Sequence, residues 1–172
     1  QEETLSRQSL YNDTDIGKQK AIVTKQYLQH RNKLTQIKVH NIRLTSGNLK
    51  KVIELYDLII DATNNFESHY AICEAAITSK KPLVFGHIEN NISFLTTSGI
   101  DSTIDLKTVL TKGDLFRKED ADISSPVILV NSLSGTILAN EAISIILEKP
   151  SQLESKMLKI KLSDYSFDLA PI

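Results

Sequence analysis

The order of apolar segments predicts a doubly wound, Rossmann-like α/β fold, with a mostly parallel sheet and an antiparallel hairpin at the C-terminus. Three observations carry that expectation. Residues 57–62 (DLIIDA) and 82–85 (PLVF) are short, continuous apolar runs, the pattern of strands covered on both faces. Between them, residues 66–79 have helical spacing, which makes a strand–helix–strand crossover. Near the end, Leu158, Ile160 and Leu162 alternate with lysines, and Phe167 and Leu169 follow Ser163-Asp164, as in an edge hairpin.

The remaining elements follow in order. Residues 17–31 have helical composition, with Ile16, Val23, Tyr27 and Leu28 as a buried stripe. Residues 37–44 (IKVHNIRL) alternate partially and predict a strand. Thr45-Ser46-Gly47 is a turn able to cap a helix carrying Leu49, Val52, Ile53 and Tyr56. In the helix at 66–79, Tyr70, Cys73 and Ile77 are expected to point inward, and residues 92–96 predict a further covered strand. Residues 98–126 are polar and rich in Asp, Lys and Ser, and predict a long crossover loop with one short helix near 105–110. The apolar stretch at 127–147 ends before Pro150, which cannot continue a helix. Asn131, Ser132, Ser134, Asn140 and Glu141 lie inside it, and their cost in a bilayer predicts a buried helix rather than a membrane span.

Composition narrows the function. A chain of 172 residues with 41% hydrophobic content suits one domain with one sizeable core. The formal net charge is −1 and no basic block stands out, so neither nucleic acid nor a membrane is the expected partner. Cys73 is the single cysteine, which leaves no internal disulfide and no CxxC pair for zinc, and suits a reducing, cytoplasmic setting. The start, Gln1-Glu2-Glu3-Thr4, has no signal-peptide pattern and no initiator Met. No GxGxxG, GKS/T, GxSxG or HExxH motif occurs.

Ligands of a doubly wound sheet sit beyond the carboxyl ends of its strands. Two polar segments fill such places, residues 61–65 (DATNN) and 86–91 (GHIENN). Thr63 or Asn64 can cap the helix that follows, or the segment can contact a ligand; both readings stand. Arg7-Gln8 and residues 15–20 (DIGKQK) put an Arg and a Lys near a helix start, which suits phosphate, although surface Arg and Lys are usually only solvated. His30, His40, His69 and His87 show no metal-ligand spacing and are expected at the surface or in packing, His69 and His87 lying nearest the strand ends. Cys73 falls on an apolar helix stripe, as an inert core thiol would.

In order, these pieces resemble the ThiF/MoeB/HesA family, bacterial relatives of ubiquitin-activating enzymes. Leu5-Ser6-Arg7-Gln8 resembles the family's N-L-x-R-Q segment, with Thr4 in place of Asn. Residues 15–21 (DIGKQKA) resemble its [DV]-[IV]-G-x-x-K-[AV] helix start. Residues 56–66 (YDLIIDATNNF) resemble Y-D-L-V-[IL]-D-[CG]-T-D-N-F, and residues 81–86 (KPLVFG) resemble K-P-L-[VI]-x-G. The likeness implies an adenylyltransferase that uses Mg–ATP to activate the C-terminal carboxylate of a small ubiquitin-like or sulfur-carrier protein. It implies that Arg7 and Lys20 contact the triphosphate, that Gln8 places Arg7, and that Asn64 stands in the nucleotide site. A fixed Arg and Lys would stabilise charge gathering on the α-phosphate. A two-fold homodimer is implied as well.

The departures define the alternative. The family's G-x-G-G-[LI]-G loop and ribose acid would precede Gln1, so the chain is expected to be an N-terminally truncated single domain, inactive by itself. The metal-binding Asp of the family's T-D-N-F is Asn64 here, and the Arg that follows that motif is His69. The paired zinc cysteines are missing, so zinc is not expected. These changes suit a diverged, catalytically silent member that binds a carrier protein or serves as a partner subunit.

Overall fold

A computed structural model of the chain describes Leu5 and residues 8–100, 106–111 and 127–172. The chain divides into two compact units, Gln1–Leu44 and Thr45–Ile172.

In the first unit a 3-10 turn, Asp13–Asp15, is fixed at both ends of its cap. Asn12 Oδ1 accepts from Thr14 N at 2.9 Å, and Asn12 N donates to Asp15 Oδ2 at 3.2 Å. Helix α1 (Lys20–Arg31) follows, and Val23 is its buried residue. The expected stripe is otherwise too long. Ile16 precedes the helix and is exposed, as are Tyr27 and Leu28. Arg31 holds Tyr27 at the surface, its guanidinium carbon 4.6 Å from the ring centroid. Residues 37–44, expected as a strand, form none. An alternating pattern becomes a strand only when a neighbouring chain takes its N–H and C=O groups.

The second unit is a five-stranded sheet in the order β1-β2-β3-β4-β5: β1 (Ile59–Asp61), β2 (Leu83–Glu89), β3 (Ile92–Ser98), β4 (Lys156–Lys161) and β5 (Ser166–Pro171). The α/β, Rossmann-like class holds, but "mostly parallel" does not describe this sheet. Among the described strands β1–β2 is the one parallel pair; β2–β3, β3–β4 and β4–β5 are antiparallel. The cause is local. Asn90 and Asn91 have φ of 51° and 63°, so they close a two-residue hairpin whose twist suits antiparallel strands. Residues 86–91 are therefore the end of β2 and its turn, not a polar mouth beyond a parallel strand. The C-terminal hairpin, β4–β5, forms where its alternation predicted it.

Helices cover both faces. Helix α2 (Ser46–Ile53) starts at Thr45, whose N–H donates to Asn48 Oδ1 at 2.9 Å, and it buries Leu49 and Ile53 while Tyr56 stays partly exposed. Helix α3 (Phe66–Thr78) buries His69, Ile72, Cys73, Ala75 and Ala76. Cys73 is inward as expected, but Ile77 is exposed and Tyr70 only half-buried, so the buried face is turned one position toward the helix start. Helix α4 (Leu106–Thr111) lies where a short helix was expected; most of the 98–126 loop falls outside the described residues. Helices α2, α3 and α4 share a core with Leu83, Phe85 and Met157 on one face of the sheet. Helix α5 (Val127–Ile146) packs Leu138 and Ala142 against Val84, Leu95 and Ile160 on the other. It is long and apolar enough to cross a membrane by length and composition. Its buried Glu141 is satisfied by the sheet side: Ser151 Oγ donates to Glu141 Oε2 at 2.5 Å and lies 2.7 Å from Thr97 Oγ1.

Candidate functional site

The parallel pair β1–β2 is the part of the sheet whose carboxyl end can form a site, and β1 ends on Asp61. Asp61 is 1% exposed, so both of its oxygens need partners. Oδ1 accepts from Thr63 N at 2.9 Å and from Thr63 Oγ1 at 2.8 Å, which bends the chain sharply after the strand. Oδ2 lies 2.8 Å from His69 Nδ1. Thr63 Oγ1 is itself 3.1 Å from that nitrogen. Asn65, rather than Thr63 or Asn64, caps α3, its Oδ1 accepting from Ser68 N at 2.9 Å. Ala62 and Asn64 are left facing out from a turn pinned at both sides.

Beneath this turn the polar line continues. His69 is fully buried, and its Nε2 lies 3.2 Å from His87 Nδ1 on β2. His69 also tilts against Phe85, centroid to centroid 4.8 Å, and His87 stacks on Phe94 of β3 at 6.3 Å. His87 Nε2 faces Glu89 Oε2 at 3.7 Å. Burial pushes His87 below the ordinary imidazole value, and the charge of neighbouring His69 pushes the same way; Glu89 and Asp61 oppose both. Both rings, expected as surface or packing residues, are thus joined in one buried line from Asp61 through His69 to His87, with the partly exposed Glu89 carboxylate beyond it. Strand alternation carried a signal for it. Leu83, Phe85 and His87 share a face, and Phe85 is the register partner of Asp61.

The other sequence-derived candidates belong to the first unit. Arg7 lies outside the described residues. Gln8 N donates to Leu5 O at 3.1 Å, and the buried Gln8 Oε1 has no hydrogen-bond partner among the described residues. Lys20 is the exposed first residue of α1, with Nζ 5.7 Å from the centroid of the Tyr11 ring. Tyr11 is anchored in turn by a 2.8 Å hydroxyl contact with Thr24 on α1. Among the described residues no cluster of three or more His, Cys, Asp or Glu could hold a metal ion.

Residues 2–172 match the ThiF family. A sulfur carrier protein adenylyltransferase of Thermus thermophilus is 43% identical over 84 residues, covering 49% of this chain and 31% of that protein. A probable molybdopterin-synthase adenylyltransferase of Porphyra purpurea is 33% identical over 168 residues, covering 95% of this chain and 44% of that protein. Among solved structures, E. coli MccB with AMPCPP and MccA superposes with a TM-score of 0.77 at 17% identity, over 99% of this chain and 53% of MccB. The ATP complex of MccB gives 0.74 at 20%, over 99% and 53%. The chain thus spans less than half the length of these two curated relatives and about half of MccB. The match of residues 2–172, nearly the whole chain, is what places it: this chain belongs to the ThiF family.

Proposed function

We propose that the intact protein is an adenylyltransferase that activates the C-terminal carboxylate of a small ubiquitin-like or sulfur-carrier protein with Mg–ATP. The family match across residues 2–172 is the observation that carries this reading. A carboxylate oxygen of the carrier attacks the α-phosphorus, the bond to the bridging oxygen breaks, and pyrophosphate leaves with both electrons of that bond. Arg7 and Lys20 supply positive charge to the phosphates, Gln8 places Arg7, and Asn64 faces the nucleotide from its exposed turn. The protein works as a cytoplasmic homodimer.

The 61–65 turn does not fit a resident Mg²⁺. Its one carboxylate, Asp61, is buried with Oδ1 held by Thr63 and Oδ2 by His69, and the Asn65 amide oxygen caps α3. Asn64 offers a neutral oxygen, a poor ligand for a hard dication. Magnesium enters as part of the Mg–ATP substrate, and no step is routed through a protein-held ion.

Carrier-dependent exchange of labelled pyrophosphate into ATP tests the reading. Exchange is expected with a carrier ending in a free carboxylate and not with its C-terminal amide. Absence of exchange with every ubiquitin-like carrier tried, while a carrier still binds, would overturn it in favour of a silent binding subunit. Sedimentation equilibrium tests the dimer.

A further inference from the structure

Two lysines, Lys18 and Lys20, stand at the start of α1, and their surroundings differ. Lys18 Nζ pairs with Asp15 Oδ1 at 3.0 Å, so a carboxylate answers its charge. Lys20 Nζ lies over the ring of Tyr11, 5.7 Å from the centroid. A π face attracts a cation without cancelling its charge, so an ammonium held in this way keeps its attraction for an anion.

Local sequence builds this seat. Asn12 caps the Asp13–Asp15 turn at both ends. Gly17 follows at φ 84°, in the left-handed region that a β-carbon disfavours. The chain doubles back there, and Tyr11 lies along the first turn of α1. Lys20 and Thr24 are one turn apart on one face of that helix. The Tyr11 ring spans them: its face meets Lys20, and its hydroxyl shares a 2.8 Å hydrogen bond with Thr24 Oγ1. The N-cap residue, Gln19, makes no side-chain hydrogen bond, and the two Tyr11 contacts clip the start of the helix to the loop before it. We propose that Tyr11 is a positioning residue for Lys20: its ring seats the ammonium and Thr24 locks the ring, so that Lys20 rather than Lys18 meets the triphosphate. The seat stands whether or not Lys20 makes further contacts, because the ring is fixed by Thr24 and not by the ammonium. A lysine stem has much rotamer freedom, and ordering it before the anion arrives removes part of that cost from binding.

The use in adenylation rests on the proposed function; the seat itself does not, and the experiment separates them. In proton–carbon spectra of this chain without nucleotide, the Lys20 Cε protons are expected upfield of those of Lys18, because they lie over a ring face. A Lys20 signal coincident with that of Lys18, or unmoved in Tyr11→Leu, overturns the seat. Tyr11→Phe and Thr24→Val each remove one partner of the shared hydroxyl bond and leave the ring. Each should lose part of the upfield shift, and the double variant should lose no more than either alone; additive losses overturn the lock. In the intact protein, KM for ATP in pyrophosphate exchange should rise about two- to fivefold in Tyr11→Leu with kcat little changed. The rise should be smaller in Tyr11→Phe and absent in Lys18→Ala. A Tyr11→Leu that lowers kcat at unchanged KM, or a Lys18→Ala that raises KM as much as Tyr11→Leu does, overturns the positioning role. If Tyr11→Leu fails to fold, Tyr11→Phe and Thr24→Val, which keep the ring, decide by the same two readouts. If the wild type shows no exchange, the proposed function fails, and the Lys20 signal alone decides for or against the seat.

Discussion

Gly86→Ala tests how tightly α5 is seated on the strand that carries His87. Gly86 lies on β2 between Phe85 and His87, so its missing side chain points to the opposite face, toward α5. A Cβ built there would come 2.6 Å from Leu138 Cδ1, 3.4 Å from Leu95 Cδ2 and 3.5 Å from Leu138 Cδ2. Carbon contacts are comfortable at about 3.5–4.0 Å, so Leu138 must retreat by about 1 Å. It has little room, being 6% exposed and packed with Val84, Leu95 and Ile160. Overpacking of this kind costs about 1–3 kcal/mol. Replacing a strand glycine returns about 0.5–1 kcal/mol through lower unfolded-state entropy. The net expectation is a loss of about 0.5–2 kcal/mol, read as a lower urea midpoint at unchanged slope. Leu138→Ala alone should cost about 2–5 kcal/mol, and the double variant should cost less than the sum because the new methyl fills part of the cavity. A neutral or stabilising Gly86→Ala, or strict additivity with Leu138→Ala, would refute the packing argument.

Three further outcomes are expected. Asn65→Ala removes the acceptor for Ser68 N and should cost about 1 kcal/mol in thermal or urea unfolding, with Asn65→Asp near neutral. Ser134→Ala breaks the 2.6 Å contact between Ser134 Oγ and Ser93 Oγ, both buried, and should cost about 1–3 kcal/mol; the pair Ser93→Ala/Ser134→Ala should recover part of that loss. The His87 contribution to stability should fall as pH drops below 6.5, because the unfolded imidazole takes a proton there while the folded one, held below that value, does not. His87→Phe should flatten that limb of a stability–pH curve, and an unchanged curve would count against the burial argument.

Helices and the final hairpin were legible in the sequence because their signals are local. Thr45 before a helical run, the apolar length of 127–147 and the lysine alternation at 156–161 each specify an element without help from distant residues. Sheet direction was not local in that sense. It depended on two asparagines, and Asn90-Asn91 reads equally as a polar strand end or as a hairpin with both residues at positive φ. The strand expected at 37–44 failed for a related reason: alternation says which way side chains can point, but only a paired neighbour makes a ladder. The Tyr27 and Leu28 stripe failed because a surface arginine can cover an aromatic ring as well as a core can.

The site was legible at its rim and not beneath it. Asn64 stood out by position alone, as an amide where the family's motif has an acid. His69 also stood out, as an imidazole where the motif has an arginine, and residue by residue that reads as a lost permanent charge. The structure changes the unit of comparison, because His69 does not act alone: its second nitrogen lies 3.2 Å from His87. The substitution at 69 places an imidazole nitrogen 2.8 Å from Asp61 Oδ2, where it holds the carboxylate that anchors the turn. His87, which no motif marks, meets the other nitrogen of that ring, so the neighbour on β2 decides what the imidazole at 69 can reach.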